Sequence, residues 1–204
     1  MGDSRPVPAA VRGCLAIVLS AAAVLAPPTR LTAAEAPRST VTVRIYQTAD
    51  LPFPLERALA EAERVLRVAL VDVRWRRCGV WSSAAACTDL LEGSELVLRI
   101  VPEGTPRRPR PFTLGEALVS PCTGGVLATV YTDRVAALAA EVDTDVAVLM
   151  GRVAAHELGH LMMHSSVHHA RSGLMRPNWT RQEVQRNLAA DWMFTAEDVA
   201  AIHR

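Results

Sequence analysis

The residues best suited to chemistry are two histidines and a glutamate in an H-E-x-x-H motif, namely His156, Glu157 and His160. Because residues four apart lie on one face of a helix, both imidazoles can reach the same metal ion. Zinc binds neutral imidazole nitrogens at about 2.0–2.1 Å and lowers the pKa of its water toward about 7. Glu157 can hold that water and accept its proton as the water attacks a carbonyl group. The motif therefore predicts one Zn2+ ion and a hydrolytic reaction, with Glu157 as the catalytic base.

A hydrolytic zinc site needs a third protein ligand, and the next histidine, His164, continues the i, i+4 series. Eight helical residues rise about 12 Å, whereas nitrogens bound to one ion lie within about 4 Å of each other. His156 and His164 therefore cannot both bind on a continuous helix. The chain must break and return, and the serines at 165–166 are a suitable break. His168 and His169 follow, and only one should bind, because neighbouring residues of an extended loop point to opposite sides.

The elements that must position these residues follow from hydrophobic periodicity. Apolar residues at helical spacing predict a helix over 55–68 and a long helix over 146–163 that carries the motif. Asp143 or Thr144 can cap the long helix. Alternating residues predict four strands, and two capping boxes predict short closing helices: the strands are 41–46, 71–75, 95–101 and 125–131, and the boxes are Thr180 with Glu183 and Thr195 with Asp198. This order of elements indicates an α+β fold.

Length and composition indicate a single globular domain. The chain has 204 residues, of which 50% are hydrophobic and 21% charged, which suits one domain with a sizeable core. All 22 basic residues are arginines, and the formal net charge is +1. The charge gives no indication of a nucleic-acid partner. The segment 105–112, rich in arginine and proline, is interpreted as an exposed loop.

The N-terminal segment, residues 1–36, is interpreted as a secretory signal peptide that is removed. Two arginines precede a mostly apolar stretch, residues 14–26, which is too short to span a bilayer comfortably. Residues 34–36 match an A-x-A cleavage site. The folded domain is then 37–204. We expect it to be secreted or periplasmic, with no stable membrane insertion after processing.

Export would expose the cysteines of the domain to an oxidising compartment. Cys78 and Cys87 can close a short loop, so we predict a disulfide between them. Cys122 would then be a free thiol.

The motif helix, the histidines after it and the Gly-Leu-Met turn at 173–175 together resemble the metzincin clan of zinc endopeptidases, and small secreted bacterial metzincin-like proteins in particular. The resemblance covers 37–204. It implies a metzincin-like zincin fold with a four-stranded mixed sheet, a backing helix, a long metal-binding helix and short C-terminal helices. It also implies that Met175 lies beneath the metal ion. The strand that ends in residues 128–134 resembles the edge strand on which metzincins bind extended substrates.

The chain departs from the metzincin extension H-E-x-x-H-x-x-G-x-x-H at two positions, with Met163 in place of the glycine and Ser166 in place of the third histidine. In the resembling proteins, the spacing from the helix favours His168 as the third ligand. The spacing back from the Gly-Leu-Met turn favours His169, which we prefer. Glu183 is a rival, since some H-E-x-x-H enzymes use a glutamate on a later helix, but the Gly-Leu-Met turn speaks against that arrangement.

Many metzincins supply a tyrosine after the methionine, whereas both tyrosines here lie upstream of the motif. Zinc alone, Arg176 or Asn178 would therefore have to stabilise the oxyanion. Two classes of function remain. The first is a monomeric secreted zinc endopeptidase that cleaves an extended peptide bound along 126–131 by β-augmentation. The second is a noncatalytic module, derived from a metzincin, that binds zinc and a protein or cell-wall component. Glu157 favours the first, because a zinc scaffold needs no base beside its ligand.

Overall fold

The structure, a computed structural model, describes residues 38–48, 50–79, 87–102, 113–120 and 124–204. The expected signal peptide, the arginine-rich loop and Cys122 lie outside these ranges. Within them, no helix has both the length and the apolar character that a membrane span needs. The strands are β1 (Ser39–Gln47), β2 (Val71–Arg77), β3 (Glu95–Val101), β4 (Gly115–Ser120) and β5 (Gly124–Tyr131). The helices are α1 (Leu55–Val68), α2 (Thr132–Glu141), α3 (Val146–Met162), α4 (Arg181–Arg186) and α5 (Ala196–Ile202), with a short 3-10 helix at Ala189–Trp192.

The strands form one mixed sheet in the order β2-β1-β3-β5-β4. The first four are parallel, and β4 runs antiparallel to β5. The mixed α+β class agrees with the sequence, but the prediction of four strands is wrong because it omits β4. This strand has only six residues, begins at Gly115 and contains a register shift between Leu118 and Ser120. Such a segment has a weak strand signal of its own and depends on pairing with β5.

The prediction that 126–131 forms an edge of the sheet is wrong. The segment 126–131 belongs to β5, which lies between β3 and β4, so the edge strand on this side of the sheet is β4. Furthermore, β5 ends at Tyr131, and α2 begins at Thr132, inside the stretch that was assigned to the strand. The segment that follows is rich in alanine, which is the strongest helix former.

The core lies between the sheet and the two long helices. Helix α1 buries the six apolar residues that the periodicity identifies, Leu55, Ala58, Leu59, Ala62, Val65 and Leu66. Helix α3 is buried from Leu149 to Leu161, which explains its high overall apolarity. Its N-cap is Asp145, one or two residues later than predicted, and the Asp145 carboxylate accepts hydrogen bonds from the backbone of Ala147 and Val148.

The structure contains two further features that the sequence predicts. Both capping boxes are present, Thr180 with Glu183 at α4 and Thr195 with Asp198 at α5. A disulfide joins Cys78 to Cys87, with 5.4 Å between the Cα atoms. It ties the end of β2 to the segment that leads toward β3.

Removing this disulfide should lower stability without changing the candidate metal centre, which lies on other elements. A loop of this size, with a sequence separation of 9, gives a stabilisation of roughly 2–3 kcal/mol in the chain-entropy treatment. We expect the double variant Cys78→Ser, Cys87→Ser to lose about that much free energy of unfolding in urea while keeping its zinc content. An unchanged free energy of unfolding would contradict this account of the bridge.

Candidate metal centre and active site

Three histidines come together beside helix α3. His156 and His160 lie one turn apart on α3, and their Nε2 atoms are 3.1 Å apart. The ring of His169 lies 5.9 Å from that of His156 and 5.0 Å from that of His160, measured between centroids. One ring nitrogen from each residue lies within 4.8 Å of the others. The separation of the two helical nitrogens suits a common ion at about 2 Å, and a small shift would bring in the third.

The chain breaks after α3 and returns, as the geometry of the motif requires. The helix ends at Met162, Met163 is its C-cap, and His164 has the left-handed backbone conformation, with φ of 51°. The break therefore comes just before the two serines, not at them. The N–H of Ser165 then donates to the carbonyl of His160. His164 does not belong to the histidine cluster.

The hydrogen bonds of the helical histidines prepare them as metal ligands. The Nδ1 atom of His156 lies 2.9 Å from the carbonyl oxygen of Leu174, and that of His160 lies 2.7 Å from the carbonyl oxygen of Ser165. Because a carbonyl can only accept, each Nδ1 carries the proton and each Nε2 keeps its lone pair. Burial, helped by the neighbouring His160, lowers the pKa of His156 to about 3. Burial also lowers the pKa of His160 and His169. The donor set, three neutral imidazoles of which two have fixed tautomers, fits zinc.

His168 and His169 have different surroundings. The Nε2 atom of His168 lies 2.8 Å from Oδ1 of Asp198, a residue that is completely buried. The other oxygen of Asp198 accepts hydrogen bonds from the backbone and hydroxyl of Thr195 in the α5 capping box. His168 therefore fastens the loop to α5, while His169 lies with the other two histidines.

The Gly-Leu-Met turn packs against helix α3 beside Gly159 and His156. Met175 is fully buried, and a Cβ atom on Gly159 would lie 3.0 Å from its sulfur. The second x of the motif is a glycine because both Phe194, 2.8 Å from that Cβ position, and the turn approach the helix there. The carbonyl of Leu174 accepts from Trp179 as well as bonding His156. The turn therefore supports both the floor of the site and the orientation of the first histidine.

Glu157 is buried at the wall between α3 and the edge strand. Among the described residues, its carboxylate has no hydrogen-bond partner. Burial, with the nearby Glu116 as a second cause, raises the pKa of Glu157 to about 8. Gly115 of β4 leaves room for the Glu157 side chain, since a Cβ atom at position 115 would lie 2.8 Å from Cγ and Oε1 of Glu157. Because the carboxyl group lies beside the histidines, it is placed to accept a proton from a water held between them.

A cavity of about 1050 Å³ lies over these groups. Its floor includes the three histidines and Glu157, and its walls come from β4, from α2 and from residues 176–179.

Both oxyanion candidates, Arg176 and Asn178, line this cavity. The guanidinium of Arg176 donates to the carbonyl of Gly173 and forms an ion pair with Glu183. Glu183 is therefore engaged with Arg176 and Thr180 and lies outside the histidine cluster.

Two walls of this cavity, β4 and α2, have only weak signals in the sequence and were not predicted. Gly115 is the signal for the first, because a glycine within an apolar run marks a bulge or a close approach. The alanine-rich segment after β5 is the signal for the second. Asp198, which holds His168, was identified only as part of a capping box, since its contact spans 30 residues.

A side chain at position 115 should displace the base or the edge strand. We expect Gly115→Ala to lower kcat/KM for a peptide at least about 10-fold, because the added Cβ atom would lie 2.8 Å from Glu157 and 2.8 Å from the backbone oxygen of Thr129. Either the base or the edge strand must then shift, and small displacements of catalytic groups are costly. Zinc content should stay at the wild-type level. Leu118→Ala is the matched control, since Leu118 lies on the same strand but is 56% exposed. Equal activity of both variants would contradict the close approach.

The raised pKa of Glu157 predicts a pH-dependent stability of the metal-free protein. Its folded pKa of about 8 exceeds the ordinary 4.5, so the unfolded state loses this proton first as pH rises. The contribution of this pKa shift to the free energy of unfolding is present in full below about pH 4.5 and disappears as pH rises through 8. Metal-free Glu157→Gln cannot lose this proton. Its melting temperature should therefore exceed that of the wild type by a growing margin between pH 5 and 8.5, whereas parallel curves would contradict the shift.

Comparisons with known proteins support the fold. No protein-family model matches the chain, and no curated protein sequence does. Among solved structures, it is similar to archaemetzincin from Methanopyrus kandleri, with a TM-score of 0.52 and 20% identity over 83% of this chain and 98% of that chain. It is also similar to a zinc-dependent peptidase from Methanocorpusculum labreanum, with a TM-score of 0.51 and 16% identity over 78% of this chain and 99% of that chain. The chain thus shares a fold with these proteins.

Proposed function

We propose that this chain is a secreted, monomeric zinc-dependent endopeptidase. The observation that carries the proposal is the convergence of three histidine side chains beside an unpartnered, buried Glu157 at the floor of an open cavity. His156, His160 and His169 would hold one zinc ion. When bound, zinc would supply a Lewis acid and lower the pKa of water toward about 7. The likeness to a protein named as a zinc-dependent peptidase supports the same assignment.

The residues of this chain then have separate roles. Glu157 accepts a proton from the attacking water and later passes it to the amine that leaves, as a general base and acid. His156 and His160 keep their orientation through the carbonyls of Leu174 and Ser165. Asn178 and Arg176 both line the cavity and are the candidates to donate to the developing oxyanion. Arg176 uses Nε and Nη1 for Gly173 and Glu183, whereas its Nη2 has no hydrogen-bond partner among the described residues.

An extended peptide is the substrate that the edge strand favours. Among the described residues, β4 pairs on one side only, with β5. Its other side has backbone donors and acceptors that a peptide can use by β-augmentation. Gly115 of this strand approaches Glu157. A peptide paired with β4 would therefore bring its backbone close to the base.

Export belongs to the same proposal. The composition of residues 1–36 is typical of a signal peptide. The disulfide between Cys78 and Cys87 supports an oxidising compartment, such as the periplasm or the exterior of the cell.

Hydrolysis of quenched-fluorescence peptides, with casein as a protein substrate, tests this function. We expect activity that a chelator abolishes and added zinc restores. If the zinc-loaded protein binds peptides but hydrolyses none, the noncatalytic binding module becomes the better description. Activity that survives chelation would contradict a zinc enzyme.

A further inference from the structure

We propose that Glu116 selects substrates with a lysine or arginine side chain within about two positions of the cleaved bond. The inference rests on the proposed function and names a class of substrate for it. Four features of the edge strand carry it: the face from which Glu116 projects, its nearness to the catalytic base, its hydrogen bond to Tyr131 and the lack of a cation partner among the described residues.

The alternation of β4 defines the face. Gly115 faces Glu157 of α3, and Ala117 and Val119 pack against the core. The intervening residues therefore project from the opposite face of the sheet, in agreement with the 56% exposure of Leu118. Glu116 is half-buried on that face, at the rim of the cavity that contains the histidines. It is the only charged residue of β4.

One oxygen of the Glu116 carboxylate is already engaged. The hydroxyl of Tyr131 donates to Oε1 at 2.8 Å, which holds the side chain in place and leaves Oε2 available. The guanidinium of Arg134 lies over the ring of Tyr131, 4.8 Å from its centroid, and donates to the carbonyl of Thr113. Arg99 donates to the hydroxyl of Thr129. Among the described residues, no cation forms an ion pair with Glu116.

A peptide strand added to β4 has a residue directly across from Glu116, and its side chain projects from the same face. Residues opposite each other in neighbouring strands lie close enough for opposite charges to attract and like charges to repel. Because Glu116 follows Gly115, which approaches the base, this substrate residue lies within about two positions of the cleaved bond. A lysine or arginine there would reach Oε2 of Glu116.

The test measures binding separately from turnover. Peptides blocked at both ends, so that only side-chain charge differs, carry lysine, norleucine or glutamate at each position in turn. Their Kd values are measured on zinc-loaded protein with Glu157→Gln, which should bind without cleaving, and their kcat/KM values on the enzyme. We expect one position to favour lysine over norleucine by about 2- to 5-fold, and to disfavour glutamate by a similar factor.

Substitutions at Glu116 should change that preference in a defined order. Glu116→Gln should remove it while keeping the hydrogen bond with Tyr131, and Glu116→Lys should invert it. Glu141→Gln is the matched control, because Glu141 also lines the cavity but is paired with Arg181; it should leave the preference intact. The inference is overturned if no position prefers lysine, or if Glu116→Gln leaves the preference unchanged. In that case, chelator-sensitive hydrolysis would still support the proposed function. Peptide binding without hydrolysis would instead contradict the proposal of an enzyme and leave Glu116 as a determinant of binding.

Discussion

The variant Glu157→Gln is expected to lose at least about 100-fold in kcat/KM, because an amide cannot accept the proton from the attacking water. Gln has nearly the same shape as Glu, so the wall between α3 and β4 should keep its packing. The zinc content should also remain, since the three histidines do not depend on this side chain. The measurement is the rate of cleavage of a quenched peptide by zinc-loaded protein.

Two controls make this result specific to the base. Glu116→Gln removes another carboxylate from the same cavity and should change kcat/KM only a few-fold. The metal-free melting curves of Glu157→Gln should show a folded protein, more stable than the wild type at pH 8. A rate for Glu157→Gln close to that of the wild type would remove Glu157 from the role of base.

The second large effect is expected at His169. His169→Ala should lower zinc affinity by more than the 10- to 100-fold that typically follows loss of a partner outside the ligand set. The reason is that it removes one of three imidazoles directly. Competition with a zinc-binding dye measures the affinity.

Two neighbouring histidines provide the comparison. His168→Ala breaks the contact with Asp198 that fastens the loop, so it should reduce affinity by no more than about 10- to 100-fold. His164→Ala should leave the affinity largely intact, because His164 lies outside the cluster. Equal zinc retention in His168→Ala and His169→Ala would contradict a three-histidine site.

The parts of this fold that the sequence predicted are those with strong local signals. Helix α1 and strand β3 have the predicted bounds, and α3 ends one residue earlier than predicted. Their apolar residues recur at the spacing that burial against the core requires, and this spacing can be recognised in the sequence alone. The capping boxes were also predictable, because the side chain and backbone that form each box lie within four residues.

The parts that were missed depend on contacts between distant residues. Strand β4 is held mainly by β5 and has little alternation of its own. Because β4 and not 126–131 lies at the edge, the strand proposed to bind peptide is Gly115–Ser120. The choice between His168 and His169 as the third ligand also depends on a contact between distant residues. The spacing fits both, and the contact that occupies His168 comes from Asp198 on the last helix.

The zinc content of the purified, processed protein tests the central claim most directly. Elemental mass spectrometry after growth with zinc should find a single zinc ion per chain. The ion should be removed by a chelator, return on adding zinc, and be lost in a variant with His156, His160 and His169 all changed to alanine. A folded wild-type protein that contains no more zinc than this triple variant would contradict the claim that these histidines form a zinc centre.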